Sequence, residues 1–218
     1  QGRYSEAEPL LQQALALSQR LLGEDHPAVA TSLNNLALLY YNQGRYSEAE
    51  PLFQQALALR QRLLGDDHPD VATSLNNLAG LYDHQGRYSE AEPLLQQALA
   101  LRQRLLGDEH PDVASSLNNL AGLYDHQGRY SEAEPLYQQA LALYKRLLGD
   151  EHPDVASSLF NLGVMRYRQQ QYVEAEVLLL DALSIYQQTL GVDHPHTQNL
   201  LTWLSDVQVA LGKGSKNE

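Results

Sequence analysis

The sequence predicts an all-α protein, a solenoid of about eleven antiparallel helices over residues 1–211. Three observations carry this. A 42-residue unit recurs along the chain. Each unit holds two stretches whose apolar residues follow helical spacing, separated by glycine. No stretch alternates with the two-residue period of a strand.

The repeat comes first, because a fixed period decides the architecture. Residues 44–85 return at 86–127 with three substitutions: Phe53 becomes Leu95, Asp67 becomes Glu109 and Thr73 becomes Ser115. His26, His68, His110, His152 and His194, each followed by proline, mark the period. So do Gly23, Gly65, Gly107, Gly149 and Gly191. The division is a half repeat at 1–23, repeats at 24–65, 66–107, 108–149 and 150–191, a capping helix at 195–211 and a polar tail at 212–218. Copies this alike indicate recent duplication or deliberate consensus design. The opening residues, Gln1 to Tyr4, fall inside a repeat, so the chain reads as a piece of a longer protein.

The first helix of a repeat runs from about Pro69 to Gln85. Val71, Leu75, Leu78, Ala79, Leu81 and Tyr82 form its apolar set. Proline at the first helical position loses only a donor that has no partner there. Gly86 follows as a left-handed stop. The second helix runs from about Ser89 to Leu106, with Ser89 and Glu92 in the spacing of a capping box. Pro93 sits in its first turn, where it costs least. Leu94, Leu95, Ala98, Leu99, Leu101, Leu105 and Leu106 make a broad stripe, and Gly107 ends it. One hairpin cannot bury both stripes, whereas stacked neighbours can. The half repeat supplies a lone second helix from about Ser5 to Leu22, and the cap a lone first helix from about Pro195 to Leu211.

Composition narrows the function. The chain has 218 residues, a net charge of -12 and no cysteine. Its acidity argues against nucleic acid and against anionic membrane surfaces. The missing cysteines exclude disulfides and thiolate metal sites. No apolar run approaches the length that spans a bilayer, and no signal peptide is visible. A cytoplasmic setting is expected, and no cofactor.

The fragment L-N-N-L-A-G-L-Y-D-H-Q-G-R-Y-S-E-A-E-P-L-L-Q-Q-A-L-A-L, Leu75 to Leu101, resembles the tetratricopeptide repeat. Ala79, Tyr82, Gly86, Tyr88, Ala91, Ala98 and Leu99 fall at that motif's spacing. The 42-residue period, with R-L-L-G-D-D-H-P-D-V between hairpins, resembles the kinesin light chain variant. The resemblance implies a right-handed superhelix whose first helices line a concave face that binds extended peptides or partner helices. It carries over Thr31, Asn34, Leu38, Tyr41 and Asn42 in the first full repeat. Thr73, Asn76, Gly80, Asp83 and His84 follow in the second. Ser115, Asn118, Gly122, Asp125 and His126 belong to the third, and Ser157, Phe160, Val164, Arg168 and Gln169 to the fourth. Helical geometry agrees, since 73, 76, 80, 83 and 84 share one face. That face lacks leucines and is expected to lie open.

Asn34, Asn76 and Asn118 read as amide clamps, able to donate to and accept from a peptide backbone at once. Asn35, Asn77, Asn119 and Asn161 read as a hydrogen bond within the stack. Gly80 and Gly122 lie mid-helix, where glycine costs roughly 1 kcal/mol against alanine; they are a hollow for a ligand side chain or drift copied by duplication. Asp83-His84 and Asp125-His126 offer no converging third group for a metal or for acid–base chemistry. Their aspartates make the groove acidic and favour basic peptides. Kinesin light chain grooves for acidic cargo carry basic residues, and here only Arg168 does. The histidines before proline read as residues that open a helix, and no nucleotide, hydrolase or metalloprotease motif is present.

The expected function is a protein–protein interaction scaffold, not an enzyme, for a neutral to basic protein or peptide. The exposed terminal helices offer a route to a homo-oligomer. Two other readings stand: a sensor or oligomerisation arm of a larger bacterial signalling protein, and a consensus array without a physiological ligand. The last repeat drifts. Gln170 replaces the stop glycine and Val177 the in-helix proline, while Gln198, Asn199, Thr202, Asp206 and Gln208 suit a solubilising cap. Trp203 is expected to pack on the preceding pair.

Overall fold

The computed structural model describes residues 4–213. Ten helices, close to the eleven expected, run among the described residues: α1 (Tyr4–Leu22), α2 (Pro27–Asn42), α3 (Tyr46–Leu64), α4 (Pro69–His84), α5 (Tyr88–Leu106), α6 (Pro111–His126), α7 (Tyr130–Leu148), α8 (Pro153–Arg168), α9 (Tyr172–Thr189) and α10 (Pro195–Ala210). No strand occurs among the described residues.

Local chemistry sets the ends of each first-type helix. The histidine before the proline has extended backbone and caps the helix through its ring. Nδ1 of His68 accepts the Asp70 amide at 3.1 Å, and the other four repeat this bond at 3.1–3.2 Å. An orphan amide is thereby satisfied. At the far end of α4, Gly86 takes φ 72°, and the Arg87 amide reaches back to the Tyr82 carbonyl at 2.8 Å. This closes the helix in a Schellman turn. In the last pair Gln170 takes the same turn at φ 63°, a conformation that penalises a residue with a Cβ.

The second-type helices begin differently from expectation. α5 starts at Tyr88, its N-cap is Arg87, and no side chain caps it. Ser89 is therefore already inside the helix, and the capping box does not form. The Arg87 side chain turns outward to a set of charges instead. Its guanidinium lies 4.0 Å over the Tyr82 ring. It bonds Glu50 of α3 at 2.8 Å, Glu90 at 2.7 Å and Gln85 at 2.9 Å. Arg45 repeats the arrangement with Tyr40, Glu8, Glu48 and Gln43. These bonds, and the matching pair of Arg129 with Glu132, hold the Glu48, Glu90 and Glu132 carboxyls below the usual carboxylate range.

The chain divides after Asp108 into two compact units. In the first, each helix packs on the next, and α2 also touches α4. Val29, Ala30 and Leu33 of α2 bury against Ala56 and Leu59 of α3, flanked by Leu52, Leu63 and Leu15. Val71, Ala72 and Leu75 of α4 meet Ala98 and Leu101 of α5 in the same way. Burying each Val or Leu contributes about 1.5–3 kcal/mol. In the second unit α6 to α10 again pack in sequence, with α8 touching α6 and α10. Trp203 meets the Tyr167 ring edge-on at 5.7 Å, as its position suggested. Gln198, Asn199, Thr202 and Asp206 are exposed on α10. Of the expected polar tail, Gly212 and Lys213 are held, with Lys213 bonding Glu176 at 2.6 Å. Residues 1–3 of the half repeat and 214–218 of the tail lie outside the described residues.

Gln170→Gly removes the penalty of a left-handed non-glycine residue and stabilises the chain by on the order of 1 kcal/mol, read as a higher midpoint in urea. Glu90→Gln tests the charged corner. A carboxyl whose pKa is depressed by folding contributes stability above its unfolded value of about 4.3 and loses it as pH falls through the folded value. Thermal melts of Glu90→Gln and the parent therefore differ most near neutrality and converge in acid.

Candidate functional site

The polar face of the first-type helices is the candidate surface. In the first unit it is partly a seam. Asn34 is only 6% exposed. Its Oδ1 accepts a hydrogen bond from Nδ2 of Asn77 at 2.8 Å, which ties α2 to α4. Asn76 is also buried. The expectation of an open face is corrected here, because α2 and α4 approach one another on this side and pair amides across the gap. Buried amides need such partners. Thr31 and Thr73 turn their hydroxyls back to the carbonyls of Pro27 and Pro69, at 3.2 and 3.3 Å.

Further along, Tyr41 of α2 stands edge-on to His84 of α4 at 5.2 Å and beside Tyr46 at 5.8 Å. Burial, with Tyr46 and Asp83 nearby, pushes the Tyr41 hydroxyl up to about 12. It stays neutral and remains a hydrogen-bond donor. Gly80 lies one helical turn before His84 on α4. No heavy atom outside its own helical turn stands within 4 Å of where a Cβ would be. The surface is open at this point, with Thr73 and Asp83 half-buried and His84 exposed.

The second unit uses the same positions differently. Asn118 donates to the Ser158 hydroxyl at 2.8 Å. Asp125 is 4% exposed, and its carboxylate pairs with the Arg168 guanidinium of α8. These two positions correspond to Tyr41 and His84, one repeat apart in each case. The expectation that Asp125 contributes negative charge to the groove is therefore corrected: a cation from the next repeat compensates it. Gly122 is more confined than Gly80, with the Tyr137 hydroxyl 3.4 Å from a built Cβ. Ser115 and Phe160 are half-buried, while His126 and Arg168 are exposed.

Asn35 and Asn119 are exposed, and Asn77 and Asn161 half-buried. The accessible amide row is thus one residue along from the row singled out as clamps. The signal was present in the copy number. Asparagine recurs at 35, 77, 119 and 161 through all four pairs, whereas the row 34, 76, 118 breaks at Phe160. Among the described residues, no group of three or more His, Cys, Asp or Glu is arranged to hold a metal. No helix among them is long and apolar enough to cross a membrane.

The tetratricopeptide repeat family model matches residues 1–62, 34–104, 84–146, 112–188 and 154–213. The chain belongs to the tetratricopeptide repeat family. A search of the curated proteins finds no match. Among solved structures, this repeat chain is similar to BtubC (BKLC) from P. vanneervenii, at 27% identity and TM-score 0.76, covering 98% of this chain and 86% of that one. It is also similar to a putative kinesin light chain of Podosopora anserina described by its nearly identical TPR-like repeats. That likeness has 32% identity and TM-score 0.66, and covers 86% of this chain and 89% of that one. A variant of that protein gives TM-score 0.69 at the same identity. Such repeats generally form protein–protein interaction scaffolds.

The Asp125–Arg168 pair gives a direct check of the seam. Arg168→Gln strips a charge partner from a buried carboxylate and costs roughly 1–3 kcal/mol. Adding Asp125→Asn recovers part of that loss, measured by chemical denaturation of the double-mutant cycle.

Proposed function

We propose that the protein binds an extended peptide or a partner helix along the polar face of its first-type helices. The observation that carries this is the open space at Gly80. A mid-helix glycine costs roughly 1 kcal/mol against alanine, and here the space of the missing methyl is empty. A ligand side chain entering that space passes Thr73, Asp83 and His84, with Tyr41 set against His84.

Asn77 supplies the amide contact in this unit. Its Nδ2 is engaged with Asn34, and its carbonyl oxygen faces the same side as that space by helical spacing. Asn34 and Asn76 act beneath it as buttresses. In the second unit Asn119, Ser115, Gly122, His126 and Phe160 form the corresponding surface, with Asn118, Asp125 and Arg168 holding α6 to α8.

The partner is neutral to basic. A chain of net charge -12 repels acidic segments at long range, and Asp83 lies at the open space itself. The reading is a binding module rather than an enzyme, since the polar groups engage one another in pairs along the face instead of converging on a reacting atom.

A peptide-array screen followed by calorimetry on the hits tests the proposal. Gly80→Ala raises the melting temperature, by about 1 kcal/mol of stability, and weakens the hits by filling the space. Asn77→Ala weakens them by removing the amide. Affinities that both variants leave unchanged, for every hit, overturn the groove reading.

A further inference from the structure

Three aromatic rings from three successive helices meet in the first unit. Tyr41 lies in the last turn of α2, Tyr46 opens α3 and His84 ends α4. Their centroids stand 5.2, 5.8 and 6.2 Å apart, so each ring is in contact with both others. The cluster is not part of the core. Tyr41 and Tyr46 are half-buried, and His84 is exposed.

Two features of α4 adjoin these rings. Gly80, one turn before His84, leaves its side of the helix open. Asp83 precedes His84, and its carboxylate is near enough to act on the Tyr41 hydroxyl. Ring faces are electron-rich and a carboxylate carries a full negative charge, so both attract a cation. A guanidinium suits the pair best, because it is flat enough to stack on a ring and forks to a carboxylate at the same time.

The chain uses this combination within itself. Arg45 and Arg87 lie 4.0 Å over Tyr40 and Tyr82 while forked to Glu48 and Glu90. In the second unit Arg168 stands at the position of His84, and it pairs with Asp125 at the position of Tyr41. There the guanidinium is built in. In the first unit the same two positions hold rings.

We propose that Tyr41, Tyr46 and His84, with the Asp83 carboxylate beside them, form a site for an arginine side chain of the bound peptide. The guanidinium stacks on the tyrosine rings and donates to Asp83, and the open space at Gly80 gives its stem a way in. A carboxylate has about four acceptor positions, so Asp83 takes the guanidinium in addition to its neighbours in the chain. The site rests on the groove reading and narrows its neutral to basic partner to one with an arginine at this point. The aromatic cluster of the second unit, Tyr167 with Tyr172 and Trp203, does not share the property, since Asp125 there is already paired with Arg168.

The probe is N-acetyl-arginine amide, titrated into the full chain and followed by proton NMR of the Tyr41, Tyr46 and His84 rings. Saturable shifts confined to these rings are expected. The citrulline amide keeps the shape of arginine without its charge and binds roughly tenfold more weakly. Asp83→Asn weakens the arginine amide, and so does Tyr41→Leu, which removes the ring but keeps apolar bulk. Lysine amide binds more weakly than arginine amide, and equal binding overturns the assignment to a guanidinium. Shifts that citrulline reproduces overturn the site, as does affinity indifferent to Asp83→Asn and Tyr41→Leu. The two readings fail separately. Array hits that keep their affinity when arginine is replaced by citrulline overturn the site and leave the groove standing. Hits indifferent to Gly80→Ala and Asn77→Ala, with the arginine amide still shifting the three rings, overturn the groove and leave the site.

Discussion

At the hairpin corners of α2 with α3, α4 with α5 and α8 with α9, a cation sits between carboxylates from two successive second-type helices. In the regular repeats it is an arginine after the stop glycine, stacked on a tyrosine and forked to a glutamate of its own helix. Arg45 and Arg87 also reach Glu8 and Glu50 of the preceding second-type helix, which are only about a quarter exposed. A half-buried carboxylate without a partner is costly, so folding the corner demands the cation. The last pair shows that the demand is for charge and not for one residue. There Gln171 stands where the arginine would be, and Arg166 where the tyrosine would be. Arg166 nevertheless reaches Glu134 and Glu174, the same two carboxylate positions. At the end of the described chain Lys213 supplies the cation to Glu176. Sequence drifts around this point while the electrostatic arrangement persists.

That constraint was only half legible in the sequence. The helical fold, the repeat and the stop glycines follow from apolar spacing and from the recurrence of proline and glycine, which are local signals, and the count of eleven was close to the ten found. The histidine caps were local too, and their place before proline gave them away. The S-x-x-E spacing at Ser89 and Glu92 misled, because the spacing is shared by capping boxes and by the interior of a charged first turn. What decided between them was Arg87, one of whose partners, Glu50, lies 37 residues back on another helix.

The candidate face fails to read from sequence for a related reason. A helical wheel separates leucines from asparagines, but it does not say which polar side meets a neighbour. Asn34 and Asn77 are 43 residues apart, as are Asp125 and Arg168. These contacts exist only because first-type helices stack, and the stacking register is a property of the packed core. Polar residues at such a seam fix the register, since an amide or an ion pair displaced by one turn loses its partner. The face then has two layers. Buried pairs hold the helices at a set spacing, and the accessible row of Asn35, Asn77, Asn119 and Asn161 is carried on top of them.

The two glycines of that face show how the layers divide the work. Gly80 and Gly122 are the same residue in nearly identical sequence, yet one opens on empty space and the other lies against a tyrosine hydroxyl. The difference traces to a single change on the second-type helix, Leu95 in one repeat and Tyr137 in the next. A substitution on the packed side thus alters the space at a glycine of the polar side. In a nearest-neighbour stack this is how copied repeats acquire different surfaces. The core tolerates a leucine or a tyrosine at one position, and the consequence is felt at a glycine one helix away.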